Sequence, residues 1–257
     1  MYARIVWFLA AGACACALAG CGRYGFDAAG ADLDAPPVGD ARDADDGAPG
    51  CPGFALLCDG FEAGDLSLWT GPFQRGEAMM TFTDAHVRSG ALALEAQMSA
   101  SAENGAAAVL LEIPAQATGT LAVRAWFHLA RPLERFSLVL GFQNRGSGQY
   151  IMVGGDNDGE WVSTENTASQ MLRDHHSERA TPLVGAWTCV ELVFTFPQAG
   201  GSRIQLFVDE VAVLDEPGGD ASPAYTEIVV GGVRLEQAGA HLYVDDVVIA
   251  RQRIGCP

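Results

Sequence analysis

Hydrophobic and polar positions alternate with a period of two from residue 54 to the end of the chain. In the run LAVRAWFHL (121–129), Leu121, Val123, Ala125, Phe127 and Leu129 fall on one face, and Arg124, Trp126 and His128 on the other. Runs of the same kind are FALLCDGF (54–61), MMTFTD (79–84), ALALEA (91–96), AAVLLEI (107–113), FSLVLGFQ (136–143), YIMVGG (150–155) and EWVST (160–164). WTCVELVFTF (187–196), RIQLFVDEVAVLD (203–215), TEIVVGGVRL (226–235) and HLYVDDVVIA (241–250) complete the set. They are short, rich in β-branched and aromatic residues, and separated by Gly, Pro, Asn and Asp. No stretch reads as a long amphipathic helix. The polar piece 167–180 reads as a loop with room for one helical turn. So many short strands predict one all-β domain over 51–257, a two-sheet antiparallel β-sandwich or jelly roll.

The first 50 residues break this pattern. Arg4 is followed by the uncharged run IVWFLAAGACACALAG (5–20), which ends in small residues. A positive start, a short apolar stretch and small residues before a cut point predict a signal peptide over 1–20. The run is shorter than the roughly 20 apolar residues of a membrane-spanning helix. Leu18-Ala19-Gly20-Cys21 resembles a bacterial lipobox, which implies lipidation of the Cys21 thiol. Each acyl methylene then contributes about 0.8 kcal/mol to membrane anchoring. Gly22 after the Cys, in place of Asp, favours the outer membrane. The expectation is an exported protein, lipid-anchored in the bacterial cell envelope. Residues 22–50 carry seven Asp against two Arg among Ala, Gly and Pro. Such a segment buries too little to offset its ordering entropy, so 21–50 reads as the lipidated Cys and a disordered acidic linker.

Charge narrows the partners. The chain has 32 acidic and 15 basic residues, net −17, and every basic residue is Arg. That balance argues against nucleic acid and against docking on anionic lipid. Without Cys14, Cys16 and Cys21, four cysteines remain: Cys51, Cys58, Cys189 and Cys256. An even number in an exported chain points to two disulfides, and the spacings lack the close pairs of a zinc site. If the first and last strands lie antiparallel and side by side, as in a jelly roll, and if Cys58 faces Val248, the same register puts Cys51 opposite Gly255. That favours Cys51–Cys256 with Cys58–Cys189. The pairing Cys51–Cys58 with Cys189–Cys256 stays open.

Several segments resemble the concanavalin-A-like, laminin-G-like jelly rolls. LLCDGFEAGDLSLW (56–69) is similar to their opening strand, and HVRSGALALEA (86–96) to their Ser-Gly turn entering a strand. GAWTCVELVF (185–194) with IQLFVDEVAVLD (204–215) is similar to their central hairpin, with Asp209-Glu210 where Gly is usual. LYVDDVVIA (242–250) is similar to the closing strand. Carbohydrate-binding jelly rolls are the next resemblance, and both imply a sandwich. The resemblance further implies a structural Ca²⁺ where first and last strands meet, at Glu62 with Asp245 or Asp246. Hard carboxylate oxygens suit that ion. The alternative is that these carboxylates cap strand ends or meet an Arg.

Chemistry is sparse. The Glu-x-Asp-x-x-Glu strand of glucan-hydrolysing relatives is missing, and EVAVLDE (210–216) has the wrong spacing. Alginate-lyase signatures are missing too, and no catalytic residue is assigned. His175 and His176 in RDHHSER read as a solvated polar loop, not an acid–base or metal pair. GGDNDGEW (154–161) reads as a hairpin turn, since Asp156, Asp158 and Gly159 do not fit an EF-hand loop. For ligand binding, Trp126 between Arg124 and His128 on an open face would make a sugar platform, joined by Gln143, Tyr150 and Trp161. The competing reading buries Trp126 under a loop such as 165–182. The expected function is non-catalytic binding of a glycan or another surface component. The alternatives are a glycoside hydrolase or polysaccharide lyase on the same fold, and a structural or adhesive envelope protein.

Overall fold

A computed structural model describes residues 51–98, 105–114, 118–133, 137–155, 159–167, 171–180, 184–198, 201–219, 225–234 and 240–257. The expected signal peptide (1–20), Cys21 and the expected linker lie outside the described residues. Fifteen strands and no helix are found among the described ones. In chain order they are β1 (Ala55–Asp59), β2 (Gly71–Arg75), β3 (Ala78–Thr83), β4 (Ala93–Met98) and β5 (Ala106–Glu112). Next come β6 (Thr120–Leu129), β7 (Ser137–Asn144), β8 (Gln149–Gly155), β9 (Glu160–Asn166) and β10 (Leu172–Ala180). The last are β11 (Trp187–Gln198), β12 (Gly201–Val208), β13 (Val211–Pro217), β14 (Glu227–Arg234) and β15 (Ala240–Ala250).

The strands form two antiparallel sheets. The larger runs β13-β12-β11-β6-β15-β4-β3, with β1 also on β15. The smaller runs β10-β9-β8-β7-β14-β5-β2. The facing sides bury one core, in which Leu121, Val123, Ala125, Phe127 and Leu129 of β6 meet Leu140, Phe142, Ile151, Val153, Ile228 and Val230 of the smaller sheet. Phe194, Phe196 and Tyr225 close it with stacked and edge-on rings. A fully buried side chain of this size contributes about 1.5–3 kcal/mol. The other side of the smaller sheet holds a second apolar cluster, with Leu110, Leu138, Met152, Val162 and Val229.

β15 is shared among three neighbours. Ala240–Val244 pair with β4, Val247–Ala250 pair with β1, and β6 runs along its other edge. The change of partner falls at Asp245-Asp246, where the register to β6 slips and Asp246 takes φ 47°. Asp tolerates this left-handed conformation better than bulky residues do, which suits it to a bulge.

Three expectations are corrected. Residues 172–180 are a strand, since Leu172 to His176 pair with Asn166 to Val162 of β9. An edge strand exposes its polar residues and so shows no apolar alternation. Strand β2, which pairs with β5, carries no such alternation either. The expected register Cys58↔Val248 is found, but the disulfides are Cys51–Cys58 and Cys189–Cys256. The amide of Ala55 bonds the carbonyl of Pro52, a tight turn that folds Cys51 back onto its own strand. The chain beyond β15 crosses to β11, so Cys256 meets Cys189. In the β12–β13 turn, Asp209 and Glu210 both have positive φ (46° and 69°), the demand of a type I′ hairpin. Asp209 holds its place by accepting the Cys189 amide at 2.9 Å.

The disulfides should differ in weight. In the chain-entropy picture a separation of 67 residues is worth about 4 kcal/mol and one of seven about 2 kcal/mol. A Cys189→Ala/Cys256→Ala protein should therefore lose more stability in urea unfolding than Cys51→Ala/Cys58→Ala.

Candidate functional site

The non-core side of β6 is not an open platform. Arg124 is 3% exposed and donates to the Gly255 carbonyl at 3.0 Å. On the adjacent strand Glu191, 0% exposed, accepts the amides of Ile254 (2.5 Å) and Gly255 (3.1 Å). Burial pushes the Glu191 carboxyl up against these amides and pulls the Arg124 guanidinium down. Glu210 takes the Cys256 amide and pairs with Arg253. The residues after β15 thus lie strapped across this face.

Trp126 is covered by the β3–β4 loop, with the Arg88 guanidinium 3.9 Å from its ring centre. The competing loop reading holds in kind, but the loop is another one. His128 stacks on His86 at 4.3 Å beside Tyr243 and Trp187. Burial, then His86, lowers its pKa.

The same loop binds the carboxylates of the proposed calcium site. Glu62 accepts the amides of Ala91 and Leu92. Asp245 accepts those of Arg88, Ser89 and Asp246. Asp246 accepts from the Ser89 hydroxyl at 2.6 Å and pairs with Arg88 at 3.4 Å. Gly90 makes the approach possible, since a Cβ there would lie 2.1 Å from the Glu62 Oε1. The donors are the hard oxygens calcium takes, yet each bears an amide, hydroxyl or guanidinium hydrogen. Among the described residues no three His, Cys, Asp or Glu converge at metal spacing.

The other expected residues divide. Trp161 is 1% exposed and faces the main core, not a ligand face. Its parity along β9 put it on the inner side. His175 and His176 sit on β10, where His175 lies 3.8 Å from Glu216. Gly155 pairs with Trp161, so β8 and β9 are antiparallel neighbours, and Asp156 and Asp158 lie outside the described residues.

Gln143 and Tyr150 are brought together, directly opposite one another on β7 and β8. They belong to a polar level crossing the outer side of the smaller sheet: Glu112, Glu227, Gln143, Tyr150, Asn166 and Leu172, one per strand from β5 to β10. Five strand spacings make it about 24 Å long. The next level holds Leu110, Val229, Gly141, Met152, Thr164 and Asp174. The middle is buried at Glu227, Gln143, Met152 and Thr164, and the ends are exposed at Glu112, Leu172 and Asp174. This band, buried in its middle and exposed at its ends, is termed the trough. Gln143 donates to Glu227 at 2.9 Å. Arg145 grips Glu227 through Nε (2.7 Å) and Nη2. Asn166 donates to the Gly148 carbonyl at 2.7 Å. Burial, with Asp174 nearby, raises the Tyr150 phenol to about 12. The Thr164 hydroxyl, 0% exposed, has no partner. Sequence reasoning missed Glu112, Glu227, Asn166, Thr164 and Asp174. Their parity within each run was readable, but their alignment depends on register between distant strands.

No protein-family model matches the sequence, and no curated protein matches it. Solved structures share the fold. The cellulose-induced protein Cip1 aligns with a TM-score of 0.64 at 17% identity, over 78% of this chain and 100% of that one. An endo-β-1,4-glucuronan lyase from the fungus Trichoderma reesei aligns at 0.63 and 13% identity, over 77% and 96%. The botulinum neurotoxin serotype G binding domain aligns at 0.50 and 9% identity, over 78% and 48%. At these identities the likeness shows the two-sheet sandwich fold.

The buried carboxylates give a pH signature. Burial, then the neighbouring Asp246 charge, raises Asp245 from 3.8 to about 7. Its contribution to stability is therefore complete below the unfolded value and is lost as pH rises through about 7. Asp245→Asn keeps an acceptor for the loop amides and removes the titration. Thermal melts of both proteins in chelator should show the wild type losing more stability than the variant between about pH 4 and 7.

Proposed function

We propose that the chain is an exported, lipid-anchored protein that binds a glycan in the trough of its smaller sheet. The observation that carries this reading is the polar level Glu227–Gln143–Tyr150–Asn166 beside the unpartnered hydroxyl of Thr164. Amides, a phenol and a carboxylate on an apolar floor offer what sugar hydroxyls and ring faces need. Likeness in fold to Cip1 and the glucuronan lyase supports the ligand class. On a glycan array, Gln143→Ala and Tyr150→Phe should each lower affinity for the bound glycan about tenfold, the scale of 1.4 kcal/mol. Trp126→Ala, checked for a cooperative melt, should keep wild-type affinity. The opposite ranking would move the site back to the larger sheet.

Hydrolysis is the second reading, favoured by one pair. Glu112 and Glu227 stand directly opposite on β5 and β14, where Cβ atoms lie about 5 Å apart. Carboxyls carried two carbons beyond such Cβ atoms are within reach of the separation of retaining glycosidases, about 5–5.5 Å. Against it, Arg145 and Gln143 occupy both Glu227 oxygens. New reducing ends formed by the wild type but not by Glu112→Gln would make the protein an enzyme.

The anchor rests on the lipobox-like LAGC (18–21). Cys21→Ser should move the protein from the membrane to the soluble fraction. Calcium at Glu62 with Asp245 or Asp246 belongs to the same reading, supported by two adjacent buried carboxylates of which Asp246 pairs with the Arg88 guanidinium, and opposed by the hydrogens on their oxygens. Bound calcium should raise the melting temperature in Ca²⁺ over that in chelator, and equal values would leave the carboxylates to the loop alone.

A further inference from the structure

We infer that the trough accepts uncharged polysaccharides and turns away polyuronates. The inference rests on the trough being the glycan site and adds the class of glycan. Recognising a uronate takes a cation free to meet its carboxylate. The cation beside the polar level is Arg145, in the β7–β8 turn, and its Nε and Nη2 are already on one oxygen of Glu227. Arg75 lies at the far end, on β2 beyond β5, next to Ala106. Nearer the polar level, and apart from Arg145, the exposed charges among the described residues are negative. Glu112 stands exposed at one end of the polar level, and Asp174 stands exposed beside Thr164 at the other. Tyr150, between them, feels the Asp174 charge and stays a neutral phenol. A carboxylate on every sugar along the trough's length would meet these groups with no uncommitted cation beside them among the described residues.

An uncharged sugar meets a matched set. The amides of Gln143 and Asn166, the phenol of Tyr150 and the Thr164 hydroxyl donate and accept without charge. Tyr150 and Asn166, both partly exposed, are the members of this set that face a ligand most directly. Exposed carboxylates at the ends serve as acceptors for further hydroxyls.

The test is calorimetric titration of the full chain in detergent. One panel holds neutral oligosaccharides (gluco-, manno-, xylo- and galacto-). The other holds glucuronate, galacturonate and alginate oligosaccharides of equal length. At least one neutral glycan should bind, and the tightest uronate should be weaker by tenfold or more. Asp174→Asn and Glu112→Gln together should narrow that gap, and so should added salt, which screens exposed charges. Uronates bound as tightly as neutral glycans would overturn the inference and leave the glycan site standing. Binding to neither panel, from a protein with a cooperative melt, would overturn the site and the inference with it.

Discussion

Much of the molecule turns on how two adjacent buried carboxylates, Asp245 and Asp246, are satisfied. They sit at the bulge where β15 leaves β4 and takes up β1. A buried charge is costly unless it is paired or hydrogen-bonded. Here the solvation is supplied by the β3–β4 loop, whose amides, serine hydroxyl and Arg88 all turn towards the bulge. Glu62, just past β1, holds the next two amides of that loop. One loop therefore fixes the junction of three strands. Since Arg88 must face Asp246, its guanidinium also lies on Trp126 and seals that ring.

A second device covers the neighbouring part of the same face. Glu191 and Arg124 are opposite charges on paired strands, and each is spent on the chain after β15. The Cys189–Cys256 disulfide and the Glu210–Arg253 pair hold that segment down. Polar residues on a strand, which in isolation suggest a binding face, are here the anchors of a cover. Unpartnered polar atoms remain under both covers, at Arg124 Nε, Trp126 Nε1 and His128 Nδ1, as well as at Thr164 on the outer side of the smaller sheet.

The fold itself is neutral about chemistry, as sandwich folds are. A lyase and a neurotoxin binding domain share it with this chain. What is particular to this protein is the composition of one level of side chains across five strand boundaries, and the commitment of Arg145 to Glu227. Those two features direct the functional reading towards a polar, uncharged ligand.

The sequence by itself determined the strands and their faces. Period-two alternation put Leu121 to Leu129 in the core, because a strand's pleat sends alternate side chains to opposite sides. The assumed Cys58↔Val248 register is also found, although antiparallel pairing alone leaves the register open. The sequence failed at β10 and β2, whose edge positions remove the burial that writes alternation into a sequence. It failed on Trp161, where aromatic character suggested a platform and only the packing direction of β9 decided otherwise. It also failed on the disulfides, because a turn of a few residues at Pro52 redirected Cys51. The trough was decided by tertiary structure alone: Glu112, Glu227, Gln143, Tyr150 and Asn166 are spread over more than a hundred residues of chain and become neighbours only through strand order. Period is a local property, written residue by residue, whereas order and register between distant strands are set by the whole buried core at once.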